Sequence, residues 1–181
     1  MKIVYYGDPI LRQKARQVAR ITPEVRDLID TMAETLREAQ GLGLAAPQVG
    51  ANVRVVVYDI GEGLQVLINP TISNRSGEEV LEEGCLSLPN LHGEVARASS
   101  LTVKARDRQG KSIARQAVGL EARVIQHECD HLDGKLFVDR VREGTLYWAL
   151  GEGENGEPLR HPTTLEAALR VFESRSSRSG T

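Results

Sequence analysis

Five consecutive residues, His127-Glu128-Cys129-Asp130-His131, place two imidazoles and a carboxylate at a spacing that suits a metal site. If this segment is helical, His127 and His131 project from the same face, because residues four apart lie one turn from each other. The two rings can then bind one divalent metal while Glu128 reaches a water bound to it. The pentad therefore predicts metal-assisted hydrolysis. The alternative is a helix face with two exposed histidines and a solvated glutamate.

A catalytic site of this kind normally has three protein ligands and one open position for water, so a third ligand must be found. A metzincin has a third histidine at the position that Phe137 occupies here, which excludes that class. A thermolysin-like site takes a glutamate from a later helix. The downstream candidates by residue type include Glu143, Glu152, Glu154, Glu157 and Glu166, but none lies in a recognisable motif. The downstream residues therefore leave the third ligand open.

The upstream candidate is Cys85, which lies in a short segment with Gly84 before it and Pro89 after it. A thiolate and two imidazoles form a compact site for a borderline-soft divalent metal. Free cysteine is also commonly a small buried apolar side chain, and this is the alternative for Cys85. Cys129 lies two positions from His127, about 200° around a helix, and is expected in the core.

Hydrophobic periodicity predicts the elements that position these residues. Residues 22–40 have the spacing of an amphipathic helix that Gly41 ends, and residues 119–132 return to helical spacing before Gly134. A Gly-rich loop is expected at 41–50, and strands are predicted at 53–60, 64–70, around 79–81, 101–106 and 111–118. The predicted fold class is α+β, with mainly antiparallel strands packed around the central helix that bears both histidines.

The C-terminal part has a different character. Residues 151–162 are rich in Gly, Glu and Pro, and residues 163–172 have the spacing of a short amphipathic helix. Residues 174–181 are expected to be disordered because they are almost entirely small or polar.

Composition places the chain among ordinary globular proteins. Its 181 residues suit one domain, with 40% hydrophobic and 27% charged residues. No apolar run approaches the roughly 20 residues that cross a bilayer, and the N-terminus lacks a secretory signal pattern. The net charge of −2, from interspersed charges, gives no sign of a surface for nucleic acid. We therefore expect a soluble, cytoplasmic protein with no membrane or direct nucleic-acid partner.

Three stretches together resemble the peptide deformylase family and occur in that family's order. They are residues 41–50 (GLGLAAPQVG), residues 83–87 (EGCLS) and residues 126–134 (QHECDHLDG). The likeness extends to the opening residues 6–12 (YGDPILR) and to the first helix. It implies a catalytic domain at residues 1–142 and a divergent C-terminal extension at residues 143–181.

The resemblance implies a ligand set and a division of labour. Cys85, His127 and His131 would hold one divalent metal, and Glu128 would act as general acid and base. Gln48 and the backbone N–H of Leu86 would stabilise the oxyanion. The resemblance implies Fe2+, although these ligand types alone do not separate it from Zn2+, Ni2+ or Co2+.

It also implies a substrate, the N-formylmethionyl peptides at the start of nascent chains, and raises the ribosome as a partner. Leu42, Leu120 and the stem of Arg123 would line the methionine pocket. Gly43 on a sheet edge and a loop at 91–97 would pair with the peptide backbone. His92, in that loop, is expected to be exposed and incidental. The rival hypotheses are a general metallopeptidase built on the pentad and a non-catalytic protein with a structural metal.

Overall fold

The computed structural model describes residues 1–153 and 156–176, and in that part of the chain it contains three α-helices and nine β-strands. The helices are α1 (Pro23–Glu38), α2 (Gly119–Leu132) and α3 (Leu165–Ser176). The strands are β1 (Gly43–Ala45), β2 (Val55–Tyr58), β3 (Gln65–Ser76), β4 (Glu79–Cys85), β5 (Leu88–Arg97), β6 (Ser100–Arg106), β7 (Ser112–Val118), β8 (Tyr147–Glu152) and β9 (Pro158–Pro162). Short 3-10 turns lie at Pro9–Arg12, Ala46–Val49 and Phe137–Asp139.

The strands form two antiparallel sheets. One has the order β1-β2-β3-β6-β7 and the other has the order β4-β5-β8-β9. Each strand pair described is antiparallel, from Gly43 opposite Tyr58 in the first sheet to Trp148 opposite His161 in the second. The predicted α+β class with mainly antiparallel strands is thus confirmed.

The five-stranded sheet is covered by a helix on each face. In β2, Val55 and Val57 belong to the apolar cluster that contains α1, whereas Val56 and Tyr58 belong to the cluster that contains α2. All four residues are buried, which explains the continuous apolar run in the sequence. Full burial of each valine contributes about 1.5–3 kcal/mol relative to exposure.

Helix α1 follows the predicted pattern closely. Thr22 stands at the N-cap with Pro23 in the first turn, and Ile29, Met32 and Leu36 are buried against the sheet. The helix ends where Gln40 adopts φ 52°, a left-handed conformation that stops the hydrogen-bond ladder one residue before the glycine that was expected to end it.

Several predicted boundaries were wrong for physical reasons. Residues 91–97, expected as a loop, belong to β5, whose buried positions include Gly93 and Arg97 and so disguise the strand alternation. Strand β4 continues to Cys85 and β3 continues to Ser76. The Gly-rich C-terminal stretch contains the β8–β9 hairpin, because β9 gains its order from pairing with β8 and is exposed along its whole length.

The C-terminal helix packs on the rest of the chain. Ala168 and Phe172 are buried in a cluster with Leu88 and Leu91 of β5, and the Phe172 ring lies 5.4 Å from that of Trp148. The helix continues to Ser176, so residues 174–176 are helical and not disordered as expected. Residues 177–181 lie outside the described part of the chain. None of the helices in that part is both long and apolar enough to span a membrane.

Candidate metal centre and substrate pocket

Helix α2 and the end of β4 bring the three predicted ligands together. The candidate ligand atoms of Cys85, His127 and His131 all lie within 4.8 Å of one another. The Cys85 Sγ is 3.3 Å from His131 Nε2, and the two imidazole rings are 5.1 Å apart, edge to face. This group of one thiol and two imidazoles can hold a metal ion.

The β4–β5 hairpin delivers the cysteine. Its register runs from Glu79 opposite Arg97 to Gly84 opposite His92, and then shifts so that Cys85 faces Leu88. Such a bulge bends a strand and re-aims the side chain that follows it. The cysteine therefore lies at the end of β4, beside the face of α2 that carries both histidines.

Glu83 holds His127 in one orientation. Its carboxylate lies 2.8 Å from Nδ1 of His127, which leaves Nε2 for a metal. Arg97 donates two hydrogen bonds of 2.9 Å to the same carboxylate, and Arg123 donates one of 2.7 Å. Burial alone would raise the pKa of Glu83, but the hydrogen bonds from Arg97 and His127 hold the pKa far below its ordinary value. Glu83 is thus a permanent carboxylate at neutral pH.

The charged network continues behind α2. Arg97 also pairs with Asp130, and Arg140 donates to both carboxylate oxygens of Asp130 at 2.6 and 2.8 Å. Sequence reasoning assigned no role to Glu83, Arg97 or Asp130. Glu83 and Asp130 lie inside the resemblance motifs, close in sequence to the predicted ligands Cys85 and His131. This closeness was the available signal that they could support the site. Arg97, by contrast, lies 14 residues after Glu83 and outside the resemblance motifs, so it carried no signal of its own.

Glu128 is buried next to the metal ligands. Its side chain is shielded from solvent, and burial raises its pKa to about 7. Its Oε2 has no hydrogen-bond partner among the residues that the structure describes. A carboxylate oxygen of this kind fits a site in which a metal and its water complete the donor set.

Gly43 makes room for this carboxylate. A Cβ built on Gly43 would lie 2.4 Å from Oε1 of Glu128, closer than real Cβ atoms approach. The backbone of β1 can therefore approach the glutamate only because residue 43 has no side chain.

The Gln48 side chain lies beside Cys85 and Ser87. The residue is 1% exposed, so it is not a turn residue facing water. Its Oε1 accepts a hydrogen bond of 2.8 Å from the backbone N–H of Ala45. This contact turns the amide nitrogen toward the centre, 3.6 Å from Cys85 Sγ and 3.3 Å from Ser87 Oγ.

An open cavity of about 630 Å³ lies in front of this group. Its lining includes each predicted substrate-binding and oxyanion residue: Leu42, Gly43, Gln48, Leu86, Leu120 and Arg123. Leu42 and Leu120 are about half exposed at its mouth. The guanidinium of Arg123 donates to the backbone oxygens of Glu79 and Val95, so its apolar stem is the part left to line the wall.

Two sheet edges border the cavity. β1 is the edge strand of the five-stranded sheet and β4 is the edge strand of the other, and both contribute lining residues. In contrast, β5 pairs with β4 on one side and with β8 on the other at Leu91 and His92. The loop expected at 91–97 is therefore a strand, and at Leu91 and His92 it is already paired on both sides, which leaves no backbone groups there for a peptide. His92 is also half-buried and lines the cavity.

A thiol, two imidazoles and a buried carboxylate beside an open cavity are the parts of a mononuclear metallohydrolase, in which three protein ligands leave one position for water. The comparisons with known proteins agree. The family model of polypeptide deformylase matches residues 1–146. The chain belongs to the polypeptide deformylase family, a family of hydrolases with a single catalytic metal.

Individual relatives give the same result. A peptide deformylase of Pelotomaculum thermopropionicum is 50% identical over 141 residues, which cover 78% of this chain and 91% of the relative. The crystal structure of the Thermotoga maritima peptide deformylase matches with a TM-score of 0.77 at 41% identity, covering 78% of this chain and 97% of that one. A Plasmodium falciparum peptide deformylase structure matches with a TM-score of 0.84 at 28% identity and covers 99% of both chains.

Proposed function

We propose that this chain removes the formyl group from N-formylmethionyl peptides, with Cys85, His127 and His131 as ligands of one divalent metal. The observation that carries this assignment is the clustering of their ligand atoms within 4.8 Å, beside the buried carboxylate of Glu128. When bound, such a metal would polarise the formyl group and would lower the pKa of a bound water to about 7. The remaining roles fall to groups of the chain itself.

Glu128 is the general base and acid of the proposed reaction. Its free Oε2 can accept the proton of the attacking water, and its pKa of about 7 lets it pass that proton to the departing amine at neutral pH. The lack of a side chain at Gly43 leaves room for the other oxygen of this carboxylate.

Gln48 and Leu86 supply hydrogen bonds to the developing oxyanion. The amide of Gln48 is already turned toward the centre by its bond to Ala45, so little reorganisation is needed during reaction. The backbone N–H of Leu86 follows the cysteine directly in the chain. Loss of one such donor typically lowers the rate about 100- to 1000-fold.

The peptide would lie in the cavity as an extended strand between the edges of β1 and β4. The free backbone groups of both edges can bind a peptide by strand addition. Leu42, Leu120 and the stem of Arg123 would receive the methionine side chain. A formyl-Gly peptide is then a much poorer substrate than a formyl-Met peptide, and equal cleavage of the two would refute this pocket.

The identity of the metal is the next part of the proposal. We infer Fe2+ as the metal, which predicts a loss of activity in air. Zinc with full activity in protein purified anaerobically without added metal would contradict this choice.

We also infer a cytoplasmic location with nascent chains as substrates, residues 1–142 as the catalytic unit, and residues 143–181 as an extension. Cosedimentation with ribosomes, with and without that extension, tests the ribosome as a partner.

The central experiment measures formate release from a formyl-Met tripeptide by the wild type and by Glu128→Gln at equal metal content. We expect a loss of at least about 100-fold in kcat, because the proton transfers lose their carrier. Glu166→Gln on the exposed face of α3 is the matched control and keeps the wild-type rate. Equal rates for Glu128→Gln and the wild type would refute the mechanism.

Two further results separate the rival hypotheses. Cleavage of internal peptide bonds that survives Cys85→Ala would favour a general metallopeptidase. Tightly bound zinc in an inert wild-type protein would favour a structural metal site.

A further inference from the structure

Three side chains, one from each of β5, β8 and β9, form a stack on the four-stranded sheet. The rings of His92 and Tyr147 are stacked with their centroids 5.6 Å apart and their planes within 19°. They are cross-strand partners on β5 and β8. The guanidinium of Arg160, from β9, lies over the Tyr147 ring, 4.6 Å from its centroid. We call these three residues the hairpin stack, because two of them belong to the β8–β9 hairpin.

The hairpin stack rests on the strand that borders the cavity. His92 faces Gly84 across β4 and β5, and a Cβ added at Gly84 would lie 2.8 Å from the His92 ring. The ring therefore lies directly against the backbone next to Cys85. His92, Gly84 and Glu82 all line the cavity. The β8–β9 hairpin lies beyond the residues 1–146 that the family model matches. It contacts the rim of the cavity through His92, on which Tyr147 stacks.

Arg160 of the hairpin stack also neutralises a carboxylate at the rim of the cavity, that of Glu82. Glu82 on β4 stands directly opposite Glu94 on β5, an unfavourable pair of like charges. Each is paired with an arginine from the C-terminal part of the chain: Arg160 contacts both oxygens of Glu82 at 2.5 and 3.1 Å, and Arg142 lies 3.6 Å from Glu94. Burial lowers the pKa of His92, which favours the neutral form of its ring. Without Arg160, Glu82 would lose its ion pair and keep only the hydrogen bond with the Tyr147 hydroxyl, which carries no charge.

The distance along β4 identifies the part of the substrate that meets this charge. Glu82 precedes Cys85 by three residues, and a strand rises about 3.3 Å per residue, so the two positions are about 10 Å apart. A peptide that binds along β4 with its formyl group at the metal centre therefore places its third or fourth residue beside Glu82.

We propose that Arg160 is a specificity-determining residue: held over Tyr147, it neutralises Glu82 and so keeps the cavity tolerant of acidic residues at the third and fourth positions of the formylated peptide. This proposal rests on the deformylase function proposed above. Arg160 acts through Glu82 and touches no reacting atom, so its effect falls on KM and leaves kcat unchanged.

The test compares three C-terminally amidated peptides, formyl-Met-Ala-X-X with X as Lys, Glu or Ser. For Arg160→Gln we expect the ratio of kcat/KM for the Lys peptide over the Glu peptide to rise about three- to tenfold, as expected for one unpaired charge near the surface. Glu82→Gln should lower this ratio, and the double variant should restore it. The change should shrink in 1 M salt. Arg170→Gln, which breaks an exposed ion pair on α3, is the matched control and should leave the ratio unchanged.

The outcomes separate this proposal from the one it rests on. Formate release from the Ser peptide by the wild type tests the deformylase function alone, and without it both proposals fail. If the wild type is active and the ratio stays within twofold in Arg160→Gln and Glu82→Gln, the specificity role is refuted. A change in kcat with constant KM would refute it as well. Because Glu82→Gln retains Arg160, it gives an independent answer if Arg160→Gln folds poorly.

Discussion

Glu82 and Glu83 are neighbours on β4 with opposite environments. The Glu83 side chain is 4% exposed and contacts two arginines and His127. The Glu82 side chain is 38% exposed and contacts Arg160. Strand alternation alone sends one carboxylate to the metal centre and the other to the rim of the cavity.

The difference shows that burial sets the consequence of a charge pair. At the surface, water screens the attraction and an ion pair contributes about 0–1 kcal/mol. In the interior, removal of one partner leaves an uncompensated charge in a poorly solvated place, at a cost of about 3–5 kcal/mol. The buried side of β4 is therefore expected to govern stability and metal binding, and the exposed side to govern substrate preference.

The largest effect is expected for Arg97→Met. The substitution keeps side-chain volume but leaves Glu83 and Asp130 with one fewer cation each in the interior. We expect the free energy of unfolding to fall by about 3–5 kcal/mol in urea denaturation. If the free energy of unfolding falls by less than about 1 kcal/mol, Arg123 and Arg140 compensate fully for the missing cation. The buried and exposed sides of β4 would then not differ in their effect on stability.

A smaller effect is expected for Glu83→Gln. The amide keeps the shape of the side chain but loses the charge that orients and polarises His127 through Nδ1. We expect the affinity of the apoprotein for zinc to fall about 10- to 100-fold, measured by competition with a chelator. Glu82→Gln is the matched control on the other face, and an equal loss of affinity in both variants would contradict a specific role for Glu83.

The smallest effect is expected for Arg160→Met on the exposed face. The free energy of unfolding should change by no more than about 1 kcal/mol, and the change should vanish in 1 M salt. A loss comparable with that of Arg97→Met would show that the β8–β9 hairpin is a structural support of the sheet as well as a part of the cavity rim.

Much of the site could be predicted because its signals are local. The helix that bears His127 and His131 shows in its periodicity, and α2 begins and ends at the predicted residues. Cys85 could be nominated by the chemistry of a third ligand, and the resemblance supplied Gln48 and Leu86. Residues 91–97 could not be recognised as a strand, because Gly93 and Arg97 occupy buried positions that normally signal a loop or a surface.

Residue order alone was enough to predict the class of fold, the helix with the histidine pair and the residue types of the candidate metal centre, since each depends on neighbours within a few positions. Three contacts became visible only in the folded chain: Arg97 joins Glu83 to Asp130, Glu128 finds room against Gly43, and Arg160 reaches Glu82. These contacts join residues 14 to 85 positions apart in the chain. Whether such residues meet depends on strand pairing and on the packing of α2 against the sheets, and periodicity carries no information about either.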